Sequence, residues 1–380
     1  WNSGISDSKD NRMIIGKVIN WGFSEVLARY VGRENDISQE ITPMVSLLDK
    51  DIYNIWINKK AYTIKIWLNE GEQLEDNDIL NIRENGNIEK VFSGCEREAD
   101  IFVTNQCNSN CIMCPVASAV RKKENREKTE WILNYIEALP DNIEYINITG
   151  GEPTLAGEDL FKILESLKNK FQYAGYQLLT NGRIFSDINY TENILNYIPY
   201  GLRFAIPVHS ANVEIHDKIT QAPKSFIQTD HGIRNLLKYR QKIEIRVVVS
   251  KRNVNTALDT AKYIVKNYKG VFCVNFIGME MMGNAAVNRK DLWIDYKDAF
   301  IKIKRAIDYL ILNGIDVQLY NFPLCAVEPG YRPIAVKSIT DYKIRFKKEC
   351  TQCAVRKICG GFFWSTRNLM DPDVYPIGEQ

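Results

Sequence analysis

The chain has 380 residues, enough for two or three domains at roughly 100 to 200 residues each. Lys and Arg number 49 against 47 Asp and Glu, a net charge of +2, so no overall field selects nucleic acid or anionic lipid and neither is an expected partner. No apolar run approaches the 18 or so residues of a membrane-spanning helix, and no basic segment followed by an apolar run opens the chain, so a cytoplasmic location is expected.

The first hundred residues contain short strand-like pieces such as Ala61 to Leu68 and a Gly-punctuated stretch, GEQLEDNDILNIRENGNIEKVF, that predicts hairpins. Residues 1–98 are therefore expected to form a small β-rich domain. From residue 99 to 316 short β-branched runs alternate with helical patterns, the mark of βα units on a parallel sheet. Six strands are predicted, Ile101 to Thr104, Ile143 to Thr149, Tyr176 to Thr180, Leu202 to His209, Ile243 to Ser250 and Val271 to Gly278. Helices are predicted near Glu124 to Leu139, Asp159 to Lys170, Thr191 to Tyr197, Asp230 to Gln241 and Asn255 to Asn267. That order describes an α/β fold, a partial (β/α)6 TIM-like barrel whose reactive site lies at the carboxyl ends of the strands. A further helix, Tyr296 to Leu312, and a strand, Val317 to Phe322, lead into a cysteine-rich region spanning residues 317–380.

Nine cysteines in a reducing compartment are read as ligands or core residues rather than disulfides. Three of them, Cys107, Cys111 and Cys114, stand in TNQCNSNCIMCP, at CxxxCxxC spacing directly after the first predicted strand. One loop can then wrap three corners of an iron-sulfur cubane and leave the fourth iron open to chelate amino and carboxylate groups. The competing reading is a structural zinc knuckle or a chance grouping. Zinc wants four ligands in a closed tetrahedron, and no fourth thiol lies near. Four more cysteines, Cys325, Cys350, Cys353 and Cys359, gather in the tail and could complete either a second cluster or a structural zinc site. Cys95 and Cys273 read as ordinary buried thiols.

The second predicted strand ends in NITGGEPTL. There Gly150 and Gly151 let the backbone approach a ligand, and Glu152 offers an acceptor for an ammonium group. The histidines, His209, His216 and His231, match no metal or hydrolytic spacing. His216 and Asp217 fall in an expected loop after strand four, either solvated or touching substrate. Arg121, Lys122 and Lys123 read as a solvated helix entry.

CxxxCxxC after strand one with GGEPTL after strand two resembles the radical S-adenosylmethionine (SAM) superfamily over roughly Ile101 to Gly283. The resemblance implies that Cys107, Cys111 and Cys114 hold a 4Fe-4S cluster that cleaves SAM, and that Gly150, Gly151 and Glu152 contact the SAM amino group. Thr180 and Asn181 of LLTNG, Ser210 and Arg246 fall where such enzymes contact the methionine carboxylate or ribose. Adenine would lie on backbone near Ile112 and Met113 and along Phe276, Ile277 and Gly278. Many members carry an aromatic residue where this chain has Met113.

The tail resembles a shortened auxiliary-cluster domain, with Phe363 where a further cysteine is expected, so the resemblance implies a second 4Fe-4S cluster on Cys325, Cys350, Cys353 and Cys359. PLC, a following YRP and CxxCAVRxxCGGFF are similar to the HxsC-type maturases of the His-Xaa-Ser system. That likeness implies modification of a ribosomally made precursor peptide, a partner radical SAM protein, and an electron donor such as flavodoxin or ferredoxin. The alternatives are a radical SAM enzyme acting on a small molecule or RNA, and a non-catalytic metal scaffold.

Overall fold

The computed structural model describes residues 14–33, 42–123, 128–339 and 343–378. The described residues fall into two compact units. One lies within Trp1–Ile101, Arg126–Asn147 and Phe161–Gly175, the other within Phe102–Asn125, Ile148–Leu160 and Tyr176–Gln380.

In the first unit seven short strands close a barrel. They are β1 (Ile14–Ile19), β2 (Val26–Arg33), β3 (Met44–Asp49), β4 (Ile52–Ile57), β5 (Lys60–Leu68), β6 (Ile79–Ile82) and β7 (Asn87–Phe92), in the order β1-β5-β4-β3-β2-β6-β7. All pairings are antiparallel except β2 with β3. The β4–β5 hairpin turns on Asn58 and Lys59, both at positive φ (50° and 63°), the twist a two-residue turn needs to match its strands. Alternate residues point inward, so Val18, Val45, Ile55, Ile66, Leu80 and Ile88 fill the barrel. Cys95, expected to be buried, is exposed instead. It follows β7 in a turn, where its thiol lies 3.3 Å from the Ser93 hydroxyl.

An eight-stranded sheet runs in chain order through β8 (Glu98–Phe102), β9 (Tyr145–Thr149), β10 (Gly175–Leu179), β11 (Arg203–Pro207), β12 (Lys242–Val248), β13 (Cys273–Ile277), β14 (Asp316–Tyr320) and β15 (Ala335–Val336). From β10 to β15 each neighbouring pair is parallel. The six predicted strands correspond to β8 through β13, but the sheet does not stop there. The helix Tyr296–Leu312 acts as one more crossover and returns β14 alongside β13, Val274 opposite Val317, and β15 then pairs with β14. The sheet therefore has eight strands rather than six, with Asp316–Tyr320 and Ala335–Val336 as its last two.

Period-two alternation gives this sheet two unlike faces. Phe204, Ile206, Ile243, Ile245, Val247, Val274 and Phe276 point one way and are buried. Gln177, Arg203, Glu244, Arg246 and Asn275 point the other. Glu244, wholly buried, accepts from Gln177 at 2.8 Å and Arg203 at 3.0 Å, with Arg246 Nε at 3.6 Å. A buried carboxylate persists only when paired in this way.

The predicted helices lie near Thr129–Ala138, Glu158–Lys170, Ile188–Ile194, Ser225–Lys238 and Ala257–Asn267. The first was expected to begin at residues 124–127, which lie outside the described residues. The expected loop at His216 is instead a helix, Val213–Thr220, whose first turn is capped by Asn212. His216 is 1% exposed on it. Asp217 is tied to the next helix, accepting from the Lys224 and Phe226 amides and the Ser225 hydroxyl. Neither side chain is a solvated loop residue, because Ile215 and Ile219 carry an apolar face that draws the segment into the core.

Candidate active site

The cysteine loop leaves β8 and is held from several sides within the second unit. Val103 N–H donates to Thr149 O at 2.8 Å, Gly151 N–H to Thr104 O at 2.7 Å, and Glu152 N–H to Gln106 O at 2.7 Å. These bonds require the loop and the GGE turn to touch. A Cβ on Gly151 would stand 2.2 Å from Gln106 O and 2.6 Å from Asn105 O, and one on Gly150 (φ 153°) 2.6 Å from Thr104 O. The two glycines were expected to admit a ligand to the backbone; the close approach they permit is that of the cysteine loop itself.

Beyond Cys107 the loop crosses to other elements. Asn110 and Ile112 amides donate to Thr220 O and Ile219 O, both at 2.9 Å. The Asn284 amide donates to Cys114 O at 2.9 Å, the Asn284 carboxamide to Cys111 O at 3.0 Å, and the Asn288 carboxamide to Ile112 O at 3.0 Å. Ile112, an expected adenine contact, thus uses its N–H and one lone pair of its carbonyl within the chain. Met113 is buried among Ile219, Met279, Met281 and Leu292. Gly278, the other expected backbone contact, is likewise engaged. Its N–H donates to Tyr320 O at 2.8 Å, its carbonyl accepts from Asn321 at 3.1 Å, and the Ile277 carbonyl accepts from Val249.

Arg121 is the largest departure from expectation. It is 8% exposed rather than solvated. Its guanidinium donates to Ser109 O at 3.2 Å, to Ser118 Oγ at 3.1 Å and to Asn110 Oδ1. Sequence reasoning passed over it because a cationic triplet reads as surface, whereas one turn of helix, Ser118–Arg121, aims it back at its own loop. Asn284, Asn288 and Arg183, which donates to Asn108 O at 2.7 Å, were missed for a similar reason: each is an ordinary polar residue until the fold presents it.

Glu152 is buried at the centre of this arrangement. Oε1 accepts from the Thr154 amide and hydroxyl (3.3 and 2.7 Å) and the Thr180 hydroxyl (2.7 Å); Oε2 accepts from the Asn181 amide at 2.6 Å. Burial pushes its carboxyl above the usual range while these bonds pull it back. Oε2 retains a lone pair for one further donor. Asn181 also donates to Asn108 at 2.6 Å. Ser210 was expected near a ligand; its hydroxyl pairs with Thr256 at 2.9 Å and accepts from the Asn212 amide at 3.1 Å. Arg246 lies 5.9 Å from the Tyr320 ring, on the polar face of the sheet.

Three soft thiols on one loop are the donor set an iron-sulfur cluster takes. Burial raises all three, Cys111 to about 12, with repulsion from its neighbours adding to the rise and Arg121 opposing it. The tail cysteines are also brought together. Cys325, Cys350, Cys353 and Cys359 line one cavity of about 20 Å³ with Pro323, Phe346 and Phe362. Burial raises Cys325 and Cys359, and the other tail thiols add to this. Among the described residues no group of three or more Cys, His, Asp or Glu closes as tightly as the ligands of a single metal ion. Cys273, by contrast, is a buried thiol in β13 raised to about 12 by burial.

Residues 101–264 match the model of the radical SAM superfamily. A probable GTP 3',8-cyclase of Saccharolobus islandicus is 28% identical over 155 residues, 40% of this chain and 48% of the relative. The AdoMet-dependent heme synthase of Methanosarcina barkeri is 30% identical over 42% of this chain and 44% of its own length. The chain thus spans about half the length of the curated relatives it matches. Among solved structures, SuiB of Streptococcus suis bound to its precursor peptide SuiA aligns with a TM-score of 0.49 at 14% identity, over 60% of this chain and 49% of that one. No helix among the described residues is long and apolar enough to cross a membrane. Over residues 101–264, less than half of its length, the chain is similar to the radical SAM superfamily, a superfamily of enzymes.

Proposed function

We propose that this chain cleaves SAM reductively and directs the resulting 5'-deoxyadenosyl radical at a ribosomally made peptide. The observation that carries the first half is the seating of the CxxxCxxC loop on the GGE turn at the ends of β8 and β9, through Gly151 N–H to Thr104 O and Glu152 N–H to Gln106 O. Cys107, Cys111 and Cys114 would hold a 4Fe-4S cluster; when bound, such a cluster with one iron not held by the chain supplies an electron to the sulfonium and breaks a carbon-sulfur bond.

The chain's own residues prepare that site. Arg121 holds the loop's shape and offsets thiolate charge, and the Asn284 and Asn288 carboxamides fix the Cys111–Cys114 turn. Glu152 locks the ends of β9 and β10 together through Thr180 and Asn181 while keeping one lone pair for an ammonium donor. Met113, Ile277, Gly278, Ser210 and Arg246 would surround the nucleoside and carboxylate. Cys325, Cys350, Cys353 and Cys359 would hold a second cluster, with zinc as the alternative that metal analysis decides.

The tail's resemblance to the HxsC-type maturases, carried by CxxC followed by CGGFF, supports a peptide as substrate. In this reading residues 1–98 form the domain that holds precursor or partner protein, 99–316 the catalytic domain and 317–380 the auxiliary-cluster domain. The second reading is a small-molecule substrate, favoured by the names of the curated relatives, a GTP cyclase and a heme synthase. Neighbouring reading frames rich in His-Xaa-Ser repeats discriminate the two. Replacing Cys107, Cys111 and Cys114 by Ala is expected to abolish 5'-deoxyadenosine formation, whereas Cys350→Ala and Cys353→Ala leave it and stop the peptide product. The reverse pattern would exchange the roles of the two cysteine groups.

A further inference from the structure

The cysteine loop is gripped at two places. Its Cys107 end rests on the GGE turn. Its Cys111 to Cys114 end rests on the segment after β13, where the Asn284 amide and carboxamide donate to Cys114 O and Cys111 O and the Asn288 carboxamide donates to Ile112 O. Gly283, at φ 54°, lies so close that an added Cβ would stand 2.3 Å from Pro115 O and 2.9 Å from Cys114 O. Close-packed atoms transmit displacement, so the position of residues 283–288 is passed on to the loop. Pairing of β13 with β14 ends at Gly278, whose N–H donates to Tyr320 O. Beyond it two hydroxyls hold the chain. Thr366 Oγ1 accepts from Met281 N–H at 2.9 Å and donates to Met279 O at 3.3 Å, and the Tyr296 hydroxyl donates to the same carbonyl at 3.3 Å. Thr366 is 0% exposed on the helix Trp364–Met370, while Trp364 and Leu369 face solvent. Met370 lies one turn further along the same face and packs against the cluster of Met113, Met279 and Met281.

We propose that Thr366 is a positioning residue for Cys111 and Cys114. Through Met281 it sets the segment Gly283–Asn288, and through Asn284 and Asn288 that segment sets the second half of the cysteine loop. Tyr296 shares the load at Met279 O, but the Met281 N–H rests on Thr366. A buried N–H that loses its acceptor has no water to turn to, so the segment must shift or open when the hydroxyl is removed. The two grips act on different thiols. The GGE turn governs Cys107, whereas the helix Trp364–Met370 governs Cys111 and Cys114 from 85 residues beyond Met281. Three ligands on one loop must keep their spacing to within about 0.5 Å to take up one metal group, so a shift at one end matters as much as a shift at the other. That the positioned thiols serve a cluster rests on the function proposed above; the mechanical link from Thr366 to the loop stands apart from it.

The test is hydrogen exchange on the full chain, before and after anaerobic reconstitution with iron and sulfide, for the wild type, Thr366→Val, Thr366→Ser and Met370→Ala. Valine keeps the shape of threonine without the hydroxyl, and serine keeps the hydroxyl. In Thr366→Val the peptides covering residues 279–288 and 108–115 should exchange about tenfold faster or more, while those covering the GGE turn and β12 keep the wild-type rate. Thr366→Ser should recover most of the protection. In reconstituted protein the EPR signal of the reduced loop cluster should respond to added SAM in the wild type, respond less in Thr366→Val and respond again in Thr366→Ser. An equal rise at β12 and the GGE turn would show a merely structural part and overturn the proposal, as would faster exchange at 279–288 with none at 108–115. If Thr366→Val does not fold, Met370→Ala decides the matter, since it loosens the same helix face with the hydroxyl in place and should raise exchange in the same two peptides alone. A wild-type cluster that ignores SAM counts against the functional reading instead, and the exchange pattern still decides the link.

Discussion

Replacing Gly151 by Ala tests the contact on which the site is built. The added methyl would sit 2.2 Å from Gln106 O and 2.6 Å from Asn105 O, against an ordinary carbon-oxygen contact of about 3.3 Å. No backbone strain is involved, since Gly151 is not at positive φ, so the effect is purely steric. The cysteine loop must retreat by about 1 Å, because both opposing atoms are backbone and cannot swing aside as a side chain would. Overpacking of this kind costs about 1–3 kcal/mol. Loosening the Gly151 to Thr104 and Glu152 to Gln106 bonds, both 2.7 Å, adds about 1 kcal/mol each. The expected loss is therefore roughly 3–5 kcal/mol, concentrated in the segment that carries Cys107. Ligands must be held within about 0.5 Å to take up a metal group properly, so iron bound per chain after anaerobic reconstitution should fall sharply. Calorimetric melting and iron counting measure the two effects, and Gly330→Ala, whose Cβ would meet nothing within 4 Å, serves as control. Wild-type melting and full iron loading in Gly151→Ala would refute the claim that these glycines exist to seat the loop.

Further expectations follow from the same geometry. Arg121→Gln removes a buried charge that bonds Ser109, Asn110 and Ser118; it should lower stability by about 2–4 kcal/mol and, in reconstituted protein, move the midpoint of the loop's cluster to more negative potential, read by EPR titration. An unchanged midpoint would limit Arg121 to a structural part. Glu152→Ala leaves the Thr180 hydroxyl and the Asn181 amide without their acceptor, so melting should drop by about 2–4 kcal/mol, whereas Glu152→Gln should recover part of it. His209 and His216 are buried side by side and burial depresses them to about 3 and about 4. Their unfolded forms take up protons below about pH 6.5 while the folded forms do not, so stability is intact above that value. It should fall as pH drops from 6.5 toward 4, by roughly 1.4 kcal/mol per pH unit for each histidine. Replacing both by Phe or Asn should flatten that slope in urea titrations. Because burial holds the loop thiols protonated, iron loading at Cys107, Cys111 and Cys114 should release protons and improve as pH rises, without levelling off by about pH 9.

Local order was legible in the residues themselves. Three thiols at CxxxCxxC share a loop whatever the fold, a Gly-Gly-Glu after a β-branched run is a strand end, and βα alternation implies parallel strands, because each depends on neighbours in the chain. The tertiary structure decided what those pieces do to one another. The helix Tyr296–Leu312 extended the sheet to eight strands because it could cross back over β13, which no property of Val317 to Phe322 alone reveals. Arg121 and His216 look like surface residues in one dimension and are buried in three, because burial is set by what packs over a residue rather than by its type. Gly150 and Gly151 advertise close approach, but whether a ligand or the chain's own backbone approaches depends on contacts made about 45 residues apart.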